Sequence, residues 1–226
     1  MRMPAIARAL VCATSLLACA TVRAQALSAD SAFADSCVGT VLDGLEGRTW
    51  LLTDGFADSR LVAQARTRGV ALVALPLRGG DAPTTAAFEA AVAQLGSPRL
   101  AAAAALGPAP FVQTWMRERP DEAAAKLALM VEPSLAKAAG LEPVPSGLVY
   151  LLHKPDAVDS NLLARVSARH ADWRDSLGEI VAWAPADPGS AAFARWLRAH
   201  ASSCGNNLGV LLHGAGMKKE ALDAFT

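Results

Sequence analysis

The sequence predicts an α/β fold: a small three-layer unit over residues 49–154, with three or four mostly parallel strands, followed by a helical segment. Three observations carry this. Two short apolar runs, Thr49–Thr53 and Val70–Leu77, bracket an amphipathic helical pattern over Asp58–Arg68, which is the order of a βαβ unit. A third apolar run, Gly147–Leu152, returns after an alanine-rich helical middle. From Asp156 the strand signal vanishes, and apolar residues recur only at helical spacing.

Residues 27–48 read as a linker and a helix, because Val41, Leu42 and Leu45 share a helical face and Gly47 follows as a stop. The first strand breaks at Asp54-Gly55, and the helix after it ends at Gly69. Val70–Leu77 is apolar throughout, as in a parallel strand covered on both faces, and ends at Arg78-Gly79-Gly80-Asp81. Thr84 or Thr85 would cap a helix through Phe88, Ala91, Val92 and Leu95, which Gly96 and Pro98 close. Residues 99–105, 110–118 and 121–125 favour helix between Pro108, Pro110 and Pro120. Lys126–Val131 reads as a third strand or as a continuation of the preceding helix. Pro143 and Pro145 make a turn into the Gly147–Leu152 strand. The 49–154 unit is Rossmann-like in this order of elements.

Pro155-Asp156-Ala157 and Asp159-Ser160 mark a boundary. Beyond it Leu162, Leu163, Val166, Trp173, Leu177, Ile180 and Val181 lie along one long amphipathic helix. Pro185 and Pro188 break that helix, Ser190–Ser202 forms a second one carrying Phe193, Trp196 and Leu197, and a helix pair follows from Cys204.

The last pair carries the most specific pattern in the chain. Leu208-Gly209, Gly216, Glu220-Ala221-Leu222 and Phe225 resemble a tetratricopeptide repeat, although Gly205 stands where that family has a large aromatic. The resemblance covers residues 204–226, roughly a tenth of the chain. It implies a helix-turn-helix unit that stacks on neighbours, about three being needed for stability, so residues 156–226 would end in an incomplete array and the chain would continue past Thr226. It also implies a protein or peptide partner. Asn206 and Asn207 are the candidate binding residues, since concave faces of such arrays hold extended peptides through asparagines, or they cap the helix.

Residues 1–26 read as a signal peptide. Arg2 and Arg8 precede an apolar stretch, Ala9–Val22, and Ala24-Gln25-Ala26 has the small-x-small pattern of a cleavage site. The stretch of roughly 14 residues is short for a bilayer span, which needs about 20. Two alternatives remain at this level: an uncleaved membrane anchor, and a lipoprotein whose Cys19 in Leu16-Leu17-Ala18-Cys19 carries the lipid. Each reading places the chain in the periplasm or cell envelope. In such an oxidising compartment Cys37 and Cys204 could pair, closing a long loop worth about 4 kcal/mol, or each could be a small buried apolar residue.

Balanced charge, with Lys+Arg and Asp+Glu at 21 each, and only 5% aromatic residues exclude the electrostatic footprint and stacking platform of a nucleic-acid binder. No cysteine or histidine spacing suggests a metal, no fingerprint suggests a nucleotide cofactor, and no serine sits in a nucleophile elbow. His153, His170, His200 and His213 read as surface or helix-packing residues. Asp54 and Asp58, just past the first strand, are the catalytic candidates, because ligands of open α/β sheets bind at strand carboxyl ends. The competing expectation is a turn aspartate and a carboxylate near a helix start. The sequence therefore predicts an exported interaction or assembly scaffold, the alternative being a transferase or hydrolase of envelope polymers working at Asp54.

Overall fold

The computed structural model describes residues 31–185 and 188–225. The segment expected as a signal peptide, Cys19 and Thr226 lie outside them. The fold is mixed α/β, built on one five-stranded sheet of order β2-β1-β3-β5-β4. Its strands are β1 Trp50–Thr53, β2 Val73–Pro76, β3 Leu127–Leu129, β4 Glu142–Ser146 and β5 Val149–His153. The helices are α1 Ser31–Gly44, α2 Asp58–Thr67, α3 Ala82–Gln94, α4 Pro98–Ala104, α5 Pro108–Glu118, α6 Pro120–Lys126, α7 Ser134–Ala138, α8 Ser160–Ala182, α9 Pro188–Gly214 and α10 Lys218–Phe225, with a 3-10 turn at Pro155–Ala157.

Only half of the sheet is parallel, which corrects the mostly parallel expectation. β2, β1 and β3 run together, whereas β5 is antiparallel to β3 and forms a hairpin with β4. The segment expected as a turn at Pro143 and Pro145 is strand β4 itself. The two prolines fall on alternate residues of an edge strand, so both missing N–H groups lie on the outward side of the ladder and the pairing with β5 survives. β2 is shorter than its apolar run, because the Val70 N–H donates to the Ala65 carbonyl and finishes the end of α2 instead. The strand reading of residues 126–131 holds for Leu127–Leu129, where the backbone turns from helical to extended at Leu127.

Alternating residues divide the core. On the first face Leu51, Ala128, Met130, Val149 and Leu151 pack with α1, α2, Trp173 and Ile180 of α8, and Phe193 and Leu197 of α9. On the second face Trp50, Leu52, Leu127, Leu129 and Leu152 pack with α3 to α7 around Phe111 and Trp115. Here Trp50 and Trp115 meet edge to face at 4.9 Å. A third cluster joins Val144 of the edge strand to Leu162, Leu163, Leu208, Leu212, Ala221 and Ala224. The helices after residue 156 thus cover a sheet face and the exposed edge of β4.

Three local expectations are corrected. α3 is capped by Asp81, whose Oδ1 accepts from the Thr84 N–H at 2.8 Å, rather than by Thr84 or Thr85. α9 runs unbroken through Ser202 and Cys204, and Gly205 within it lets it approach α10 closely: a Cβ there would stand 3.0 Å from the Ala224 carbonyl. Asn206 and Asn207 are consequently interior helix residues, not caps. Cys37 and Cys204 are free buried thiols in the cores of opposite sheet faces, so of the two readings the bridge is not formed and each is a small buried residue.

Close packing at α1 has a consequence for substitution. A Cβ on Gly44 would lie 2.5 Å from the Ser146 carbonyl oxygen and 3.0 Å from Val149 Cγ2, both fixed in the β4–β5 hairpin. Alanine favours helix over glycine by about 1 kcal/mol. The clash outweighs this, so Gly44→Ala should lower the unfolding free energy by about 1–2 kcal/mol in urea denaturation. An unchanged or raised midpoint contradicts this packing.

Candidate functional site

The sheet topology creates a crevice. The chain leaving β1 enters α2 on the first face, whereas the chain leaving β3 enters α7 on the second. Neighbouring strands whose connections depart to opposite faces splay their loops apart, and ligands of open α/β sheets bind there. A cleft of about 440 Å³ occupies that position. Its lining includes Asp54 after β1, Arg78 after β2, Glu132 after β3, Tyr150 of β5, and Trp196 and His200 of α9.

Asp54 is the predicted candidate that the fold brings to the cleft. Its Oδ1 accepts from Arg78 Nε at 2.8 Å, tying the loops after β1 and β2 together. The Asp54 side chain is 13% exposed and that of Arg78 66%, so the pair stands at the mouth. Asp58 lies elsewhere, buried in the first turn of α2, where a carboxylate complements the helix dipole.

His200 and Tyr150 were missed in the sequence because their partners are distant in the chain. His200 Nε2 sits 2.8 Å from the Leu148 carbonyl oxygen, so that nitrogen carries the proton. Burial holds the imidazole below its usual pKa and therefore neutral. The ring stacks on Trp196 with an interplanar angle of 7°. Cys204 Sγ is 3.7 Å from the same Nε2, a Cys–His spacing of one helical turn. Burial pushes the Cys204 thiol up to about 12, opposite to what a thiolate–imidazolium nucleophile requires. The Tyr150 hydroxyl accepts from Asn207 Nδ2 at 2.8 Å, and burial pushes its pKa up. Asn207 is thus spent inside the protein, whereas Asn206 is exposed.

A second cavity of about 580 Å³ lies between α3 and α4, paved by Phe88, Val92, Ala101 and Ala104. At the C-terminus α9 and α10 form a tight helix hairpin. Leu208, Leu212, Ala221 and Ala224 fill its interior. Gly209 admits the Phe225 ring, which a Cβ would meet at 2.5 Å, and Gly216 turns the chain at φ +80°. Leu222, on the outer side of α10, is 64% exposed, and Phe225, seated on Gly209, is still 48% exposed. His213 is on the surface, His170 is buried beside Trp173, and His153 is half-buried. Among the described residues no three His, Cys, Asp or Glu side chains gather as metal ligands, and no helix is long and apolar enough to cross a membrane.

No family model, curated protein or solved structure matches the chain.

Two outcomes follow from these environments. His153, His170 and His200 all have pKa values lowered by burial from the ordinary 6.5. The unfolded chain then binds more protons than the folded one below pH 6.5, so the unfolding free energy should fall as pH drops from that value. His200→Gln should make this fall shallower in urea titrations between pH 6.5 and 5, and an identical slope would remove His200 from the effect. Separately, Cys37, also raised to about 12, and Cys204 should resist thiol-specific labelling in the native protein and react only after unfolding, read by peptide mass.

Proposed function

We propose that the chain is an exported protein-interaction or assembly module of the cell envelope, which docks a helical partner on its C-terminal hairpin. The outer face of α10 carries this reading. The hairpin interior is closed against β4 and α8, yet Leu222 remains exposed on the outer side of α10 and Phe225, seated on Gly209, is still half exposed beside it, where a tetratricopeptide unit would receive the next helix pair. The local geometry supports the reading: Leu208 and Ala221 are buried, Gly209 allows the Phe225 ring to approach closely, and Gly216 makes the turn. The N-terminal pattern supports export. The catalytic alternative at Asp54 is less favoured, since Asp54 is held in an ion pair with Arg78 and the neighbouring His200 spends its proton on a backbone carbonyl.

Appending one consensus tetratricopeptide repeat after Thr226 tests the reading. If the hairpin is a stacking unit, amide exchange over residues 218–225 should slow by about tenfold, because the added interface must open first. Leu222→Glu should cancel the protection while leaving the sheet core unchanged. Exchange over α10 that ignores the appended repeat would sink the proposal.

A further inference from the structure

We propose that the cleft at the carboxyl ends of β1 and β3 binds a sugar residue through its hydroxyl-bearing face. This is independent of the hairpin, which lies at the far end of α9. The position comes from topology, and the ligand class comes from the lining.

Charge decides first. Asp54 and Arg78 neutralise each other across 2.8 Å, Glu132 adds a negative charge at the opposite lip, and His200 and Tyr150 are neutral. The lining is therefore net negative, which disfavours phosphates, nucleotides and other anions. An apolar ligand would strip water from the Asp54–Arg78 pair and from Glu132 without replacing its hydrogen bonds. A divalent cation lacks its usual donor set, since no three ligating side chains gather among the described residues.

A neutral polyol meets each requirement. Neighbouring ring hydroxyls both donate and accept, so they can bridge two-oxygen carboxylates and a guanidinium, the planar groups that Asp54, Glu132 and Arg78 present. Ser134 and Ser203 add hydroxyls at the wall. Half-buried Trp196, held between its stacks on Phe193 and His200, lines the cleft and adds apolar surface at which the C–H bonds of the ring can pack. About 440 Å³ is the size of a small-ligand cleft and suits one or two sugar units.

The full chain, titrated with the trimer of N-acetylglucosamine and with maltotriose at millimolar concentration, tests this by the indole N–H resonance of Trp196, identified through Trp196→Phe. A saturable shift with at least one trisaccharide, and none with AMP, is expected. Glu132 is exposed, so Glu132→Gln keeps the fold; it should weaken binding about tenfold by turning charged acceptors into one neutral acceptor and one donor. Asp54→Asn should weaken it as well, by releasing Arg78. A resonance unmoved by both sugars, a shift produced by AMP, or full affinity in Glu132→Gln would each overturn the proposal.

Discussion

Burial of the central strands on both faces is the constraint from which the rest of the structure follows. All residues of β1 and β3 are buried, as are four of the five residues of β5. Two helical layers are therefore obligatory, since a twisted sheet this apolar cannot leave a face to water. The middle of the chain supplies one layer in a single pass, from α3 to α7. The other is assembled from both ends of the described chain, and this forces α1 to meet the C-terminal helices. Phe33 of α1 lies 4.9 Å from Trp183, and Arg169 of α8 bonds Glu46 and, at 2.8 Å, Ser146.

The same requirement shapes the cleft. α9 contributes Phe193 and Leu197 to the first face, Cys204 to the second and Leu208 to the β4 edge, so it passes the sheet where the loops of β1 and β3 part. Phe56, Phe193, Trp196 and His200 form a continuous run of ring contacts along that path. Its inner members are core and its outer members are wall. The groups that carry reactive potential elsewhere are here committed to architecture: His200 anchors the Leu148 carbonyl, and Tyr150 anchors Asn207. What stays available to a ligand is the polar rim set by the strand-end loops.

Glycine works in two opposite ways in this fold. Gly44 and Gly205 are helical and lack space for a side chain, because backbone of another element lies against them. Gly216 has open space but a left-handed backbone at the tightest turn of the hairpin. In the sequence both kinds look alike, as residues unfavourable to helix, although Gly205 lies inside what is one helix.

How much was legible follows from the range of the interactions involved. The sequence by itself determined what depends on neighbours in the chain: the apolar runs of β1 and β5, the amphipathic faces of α2 and α8, the turn at Gly216, and Asp54 at a strand end. Tertiary structure alone decided the antiparallel half of the sheet, because strand direction depends on which partner a run meets, and Pro143 and Pro145 disguise a strand that only an edge position tolerates. It decided that Cys37 and Cys204 lie apart, since their separation is set by the sheet between them. It also brought Glu132, Tyr150 and His200 to Asp54 across long stretches of chain, a proximity that local periodicity does not encode.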